Sequence, residues 1–140
     1  MNKSIIIDAS VVAKWLLADE QDFTADLIRK EFAKKAVSIS VPSLLFYEVN
    51  NLLKSAILSR RINIKNAIGL YEAFLDFDFT VYSSKQLYKA TLMKALEYNI
   101  SSYDASYVIL AEYLQIPFYT ADEKLVKKAS SKLVKLLDDY

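Results

Sequence analysis

Cysteine and histidine are both absent from this chain of 140 residues, and glycine occurs once, at Gly69. Without cysteine there is no disulfide, no thiol nucleophile and no zinc thiolate site. Without histidine the commonest general base and transition-metal ligand is gone, and any Ser-His-Asp triad with it. A single glycine excludes both the GxGxxG dinucleotide loop and the GxxxxGK phosphate loop. Long apolar runs are missing too. Hydrophobic residues make up 54% of the chain, but the 25% that are charged are interleaved among them. No uncharged run approaches the ~18 residues that a membrane span needs. Between Lys3 and Asp8 the apolar stretch is only Ile5, Ile6 and Ile7, too short for a signal peptide, so the expected location is cytoplasmic, with no membrane partner. Catalysis, if there is any, must run on carboxylates, Lys, Arg, Tyr and hydroxyls.

What is present suits one domain, residues 1–140, with a sizeable core. Net charge is +1 and pI about 7.8, so the protein as a whole is not an electrostatic nucleic-acid magnet, although a local basic patch is compatible with that balance. Short β-branched or aromatic runs at 4–7, 36–41, 79–82, 117–120 and 133–137 read as strands. Between them, apolar residues at helical spacing predict helices over 10–20, 20–35, 43–59, 64–77, 84–98, 103–115 and 122–131. Strands alternating with helices predict an α/β fold: three layers, α/β/α, around a mainly parallel, roughly five-stranded sheet. In such sheets ligands bind beyond the carboxyl ends of the strands, where strand order reverses.

Four acids stand out against that frame. Asp8 follows "III" and Asp122 follows "FYT", which places both at one edge of the sheet. Each also suits a helix N-cap, the commoner use of such a residue. Asp104 has the same plain alternative, because Ser101-x-x-Asp104 loosely matches a capping box. Glu48 is harder to dismiss: it lies at the margin of the helix face formed by Leu45, Val49, Leu52, Leu53 and Ala56, with Asn51 on the same flank. A carboxylate there needs a hydrogen-bond partner or a cation. Acids gathered in one cleft repel unless a divalent cation sits among them, and oxygen-only ligands select a hard ion, Mg²⁺ or Mn²⁺. Such an ion suits hydrolysis of a phosphodiester by an activated water.

The strings "IIIDASVVAKW", "PSLLFYEVNNLL", "YDASYVILAE" and "YTADEKL", in that order and spacing, resemble a PIN domain, specifically the toxin subunit of a VapBC-type toxin–antitoxin pair. The resemblance runs from end to end. It implies a metal-dependent endoribonuclease that uses Mg²⁺ or Mn²⁺, cleaves RNA and is inhibited by a cognate VapB-type antitoxin. It implies that Asp8, Glu48, Asp104 and Asp122 surround the metal and carry the catalysis. Ser10 and Thr120 match hydroxyl positions near the site, and Asn51 would orient the surroundings of the metal. A homodimer is also implied, and Trp15 or its neighbours are expected near the contact.

Lys14, Tyr103 and Lys124 are candidate RNA contacts, each with a bland reading as an exposed residue. Tyr107 reads as core. A non-catalytic PIN-fold module that binds RNA or protein around a structural ion is the alternative function. A phosphoacceptor receiver domain is disfavoured, because "IIIDAS" lacks paired acids, and an Asp-x-Asp phosphotransferase is disfavoured because position 10 is Ser10.

Overall fold

Ile5, Ile6 and Ile7 point alternately to opposite faces of a strand, yet all are fully buried. Both faces of the sheet are therefore covered at its centre, as expected of parallel strands with helical crossovers. The computed structural model describes residues 3–140. Within them the strands are β1 (Lys3–Ile7), β2 (Val37–Pro42), β3 (Thr80–Tyr82), β4 (Phe118–Thr120) and β5 (Val134–Leu136). The helices are α1 (Ala9–Leu16), α2 (Phe23–Ala33), α3 (Leu44–Leu58), α4 (Ile64–Leu75), α5 (Lys85–Tyr98), α6 (Ser102–Leu114) and α7 (Glu123–Lys128).

Strand order is β3-β2-β1-β4-β5, and every pairing is parallel. β1 sits at the middle, with Ile5 opposite Ile39 on one side and Ile7 opposite Tyr119 on the other. The expected α/β architecture with a five-stranded parallel sheet is what forms. Helix α6 packs across β1, β2 and β4, and α5 packs against α6. Among the described residues, no helix is long and apolar enough to cross a membrane.

One boundary differs from expectation. The helix predicted over 10–20 stops at Leu16; Leu17 is extended and a 3-10 turn follows at Ala18–Glu20. The next helix begins only at Phe23, because the Asp22 carboxylate accepts a hydrogen bond from the Ala25 amide and fixes the start there. Trp15 is partly buried and packs within the chain. Its indole N–H donates to the Ala25 carbonyl at 2.8 Å, and its ring lies against Phe77 and Phe79, which in turn contact Phe32. It belongs to an aromatic cluster of this chain.

The scarcity of glycine has a structural cost. Helices α5 and α6 end on Asn99 and Gln115, both in the left-handed region at φ 52° and 55°. Glycine usually fills that position, since any Cβ there is strained. Gln115→Gly is therefore expected to stabilise the fold by about 1 kcal/mol, or roughly 4 °C in Tm. Calorimetry that shows no change or a lower Tm would count against the strain argument.

Candidate active site

Strand order reverses at β1, so the crevice between the carboxyl ends of β1 and β4 is where an open α/β sheet offers a site. Pairing of Ile7 with Tyr119 brings the next residues, Asp8 and Thr120, side by side. The Thr120 hydroxyl donates to Asp8 Oδ2 at 2.6 Å. Asp8 Oδ1 accepts from the Ser10 hydroxyl at 2.5 Å and from the Ser10 amide at 3.1 Å. The network continues outward: the Ala121 amide donates to Ser10 Oγ, and the Asp122 amide donates to Thr120 Oγ1. Ser10 and Thr120 both donate to Asp8.

Asp8 is 7% exposed. Burial pushes its carboxyl up from 3.8 to about 6; the Ser10 and Thr120 hydrogen bonds oppose that rise and the Asp104 charge adds to it. Asp104, half-buried in the first turn of α6, is raised by burial and then by Asp122. Glu48, half-buried on α3, is raised by burial and by the charges of Asp8 and Asp104, against the lowering effect of a Tyr107 hydrogen bond. The four acids therefore share one electrostatic neighbourhood. No Lys or Arg contributes to any of these shifts.

The capping alternatives resolve residue by residue. Asp8 and Asp122 do cap helices, α1 and α7. Asp104 does not: Ser101 caps α6 by accepting from the Asp104 amide. Glu48 lies within α3, and its carboxylate accepts from the Tyr107 hydroxyl at 2.5 Å. Burial and the facing carboxylates keep that phenol protonated, as a donor. Among the described residues no three carboxylates stand together as a ready-made cation cluster. Asp8 is turned onto hydroxyls and Glu48 onto a phenol. The donor set nonetheless fits a hard divalent cation: it is all oxygen, it is negative, and no neighbouring cation neutralises it.

Glu48 also lines an open cleft of about 650 Å³ with Tyr47, Asn51, Ser55, Arg61 and Tyr103. Of the candidate RNA contacts, only Tyr103 lies there. Lys14 lines a separate hollow with Asp22, Phe23 and Asp26, and Lys124 is exposed on α7. Arg61, in the cleft wall, is held by Asp19 and Glu20 at 2.6–2.9 Å. Tyr47, Arg61 and Tyr107 were not singled out by sequence as site residues. The i, i+3 spacing of Asp104 and Tyr107 carried the signal for Tyr107, since it puts both on one side of α6.

A parallel five-stranded sheet with acids gathered at its switch point defines the class. The PIN domain family matches residues 5–130, from β1 through α7, and the chain belongs to that family. The chain is similar to Ribonuclease VapC1 of Mycobacterium tuberculosis, with 30% identity over 121 residues, 86% of each chain. In fold it is similar to PAE2754 from Pyrobaculum aerophilum, with a TM-score of 0.72 and 24% identity, covering 99% of this chain and 94% of that one. It is also similar to a chain of a toxin–antitoxin complex from Klebsiella pneumoniae, with a TM-score of 0.66 and 11% identity, covering 95% and 97%.

The raised carboxyls have a consequence for stability. A group whose pKa is raised by folding stabilises the folded state at low pH and loses that contribution as pH rises through the folded value. For Asp8 the loss falls between about pH 3.8 and about 6 and amounts to about 3 kcal/mol at ~1.4 kcal/mol per pH unit. In chelator at neutral pH, Asp104→Asn removes a charge that faces both Asp8 and Asp122. It is expected to recover on the order of 1 kcal/mol after solvent screening, a Tm gain of roughly 3 °C, and to flatten the decline of Tm with pH. A neutral or destabilising Asp104→Asn would show that the acids do not repel.

Proposed function

We propose that this protein is a PIN-domain endoribonuclease of the VapC toxin type, which cleaves RNA phosphodiesters in the cytoplasm with Mg²⁺ or Mn²⁺ and is inhibited by a cognate antitoxin. The observation that carries this reading is that Asp8, Glu48, Asp104 and Asp122 lie about the sheet's switch point near enough for their charges to act on one another, with no Lys or Arg among the described residues contributing to those shifts. The similarity to Ribonuclease VapC1 supports the reaction class. The similarity to a chain of a toxin–antitoxin complex supports the partner.

When bound, a divalent ion would lower the pKa of a water and stabilise charge on a phosphoryl oxygen. The chain's own residues prepare the place. Asp8 is held rigidly by Ser10 and Thr120, while Glu48 and Asp104 reach the same neighbourhood from α3 and α6. Asp122 joins from the start of α7, and Asn51 lines the adjoining cleft. With histidine absent, no side chain of the ordinary neutral-pH base type is present; the attacking water, acidified by the bound ion, would be the nucleophile, and its proton would pass to a neighbouring carboxylate or to solvent.

Self-association is the finer part of the reading. Tyr88, Leu92 and Leu96 recur at i, i+4 and i+8 along α5 and are all more than half exposed, as is Met93 beside them. This exposed apolar stripe is the face we assign to a homodimer.

Two measurements test the proposal. Single-turnover cleavage of a mixed-sequence RNA with Mg²⁺ or Mn²⁺ should fall at least about 100-fold in Asp8→Asn and in Asp104→Asn, because losing a ligand should exceed the 10–100-fold cost of losing a ligand's support. No cleavage by the wild type would instead favour a non-catalytic module, and cleavage that survives both changes would show that these acids do not carry it. Sedimentation should show a dimer of the 16.0 kDa chain, and Leu92→Glu with Leu96→Glu should return it to monomer. A dimer indifferent to that double change would place the contact elsewhere.

A further inference from the structure

Tyr107 is fully buried on α6, one turn beyond Asp104, and its ring stacks on Phe118 of β4 with centroids 5.4 Å apart. Its hydroxyl crosses to α3 and donates to Glu48 Oε1 at 2.5 Å. One side chain thereby joins three elements that each carry an acid or lead directly to one: α6 with Asp104, α3 with Glu48, and β4 leading to Asp122. A carboxylate on a long, flexible side chain at the mouth of a cleft has many rotamers open to it. A short hydrogen bond from a donor that cannot itself move selects one of them. Phe118 and the surrounding core immobilise the ring, so Tyr107 is such a donor.

We propose that Tyr107 is a positioning residue, which fixes the Glu48 carboxylate in the orientation from which it serves the metal-binding cluster. The proposal rests on the metal-dependent reading above. Tyr107 touches neither substrate nor ion; it acts through Glu48. A purely structural role would be different: a buried phenol must find an acceptor, and Glu48 would then serve the tyrosine and have no further task. The two roles separate experimentally, since a structural bond affects stability alone, whereas a positioning bond affects what Glu48 can bind. Hydrogen bonds that orient metal-ligating groups typically carry 10–100-fold of metal affinity.

The test uses the full chain and Mn²⁺ alone, titrated calorimetrically into chelator-treated protein at neutral pH. Tyr107→Phe keeps the ring on Phe118 and removes one hydroxyl. Ile109→Val, a buried change on the same helix two residues on from Tyr107 and so on a different side of it, controls for general loosening. We expect Tyr107→Phe to weaken Mn²⁺ binding about 10–100-fold, with kcat for RNA cleavage lowered and KM nearly unchanged. Ile109→Val should lower Tm and leave Mn²⁺ affinity as it was. If wild type binds Mn²⁺ and Tyr107→Phe binds it equally well, the positioning role is overturned and the bond is structural. If both variants weaken binding alike, loosening explains the effect and the proposal also falls. If wild type neither binds Mn²⁺ nor cleaves RNA, the metal-dependent reading itself fails, and this inference fails with it.

Discussion

A carboxylate buried at the end of the central strand is the constraint around which the rest of the molecule is arranged. Asp8 lies where β1 gives way to α1 and beside the end of β4, so it is largely withdrawn from bulk water. Burying that charge costs free energy that hydrogen bonds recover only in part. Two hydroxyls and a backbone amide converge on it, and its carboxyl is still pushed up to about 6. A fold selected for stability alone would place an uncharged residue there, or an Arg opposite. Instead the nearest charges are more carboxylates, which raise the cost. Local instability retained inside a well-packed core is a mark of a site that something else stabilises.

The parallel sheet follows from the same residue run that delivers Asp8. Ile5 to Ile7 are buried on both faces, which demands helices above and below. Each helix then needs a defined start near a strand end, and capping residues cluster there. Asp8 and Asp122 cap the helices that follow β1 and β4, the two strands at the switch point. The remaining acids arrive by a different route, on α3 and within α6, where they cap nothing. Connectivity places the first pair and helix packing the second.

That difference explains how much of the molecule was legible in the sequence. All five strands and seven helices were readable, because β-branched runs and helical apolar spacing are local signals and Pro42 and the Ser and Asp caps punctuate them. The break after Leu16 was not, since "ADEQD" carries no glycine or proline and looks like the continuation of a charged helix. Asp8 and Asp122 were legible as residues that follow strands, whereas Ser10 and Thr120 were reached only through the family resemblance. Lys14 lies in the last turn of α1 and lines a hollow with Asp22 and Asp26, separate from the cleft that Glu48 lines. Tyr107 was read as core, and it is core; what sequence spacing could not reveal is that its hydroxyl ends at Glu48, 59 residues away. Partners that distant are set by tertiary packing, on which periodicity is silent.

The choice between cap and ligand, which looks exclusive from sequence, dissolves in the geometry. An ionised carboxylate has two oxygens and about four acceptor positions. Capping α7 occupies one of those of Asp122, through the Leu125 amide. Capping α1 occupies one of those of Asp8, and the hydroxyls of Ser10 and Thr120 take two more. A capping hydrogen bond also fixes the side-chain rotamer and brings the helix's positive end close to the charge, which favours the ionised form. The cap thus leaves the acid oriented, with acceptor positions still free. Asp104 and Glu48 lack that help, and each has a substitute: Asp104 is borne on a helix start that Ser101 fixes, and Glu48 is held by Tyr107. Each of the four acids therefore has a local device beside it, an N-cap for Asp8 and Asp122, a Ser101-capped helix start for Asp104 and the Tyr107 hydroxyl for Glu48, and each device is a hydrogen bond that would also be found in an ordinary structural role. What distinguishes these acids is that they lie near enough for their charges to act on one another.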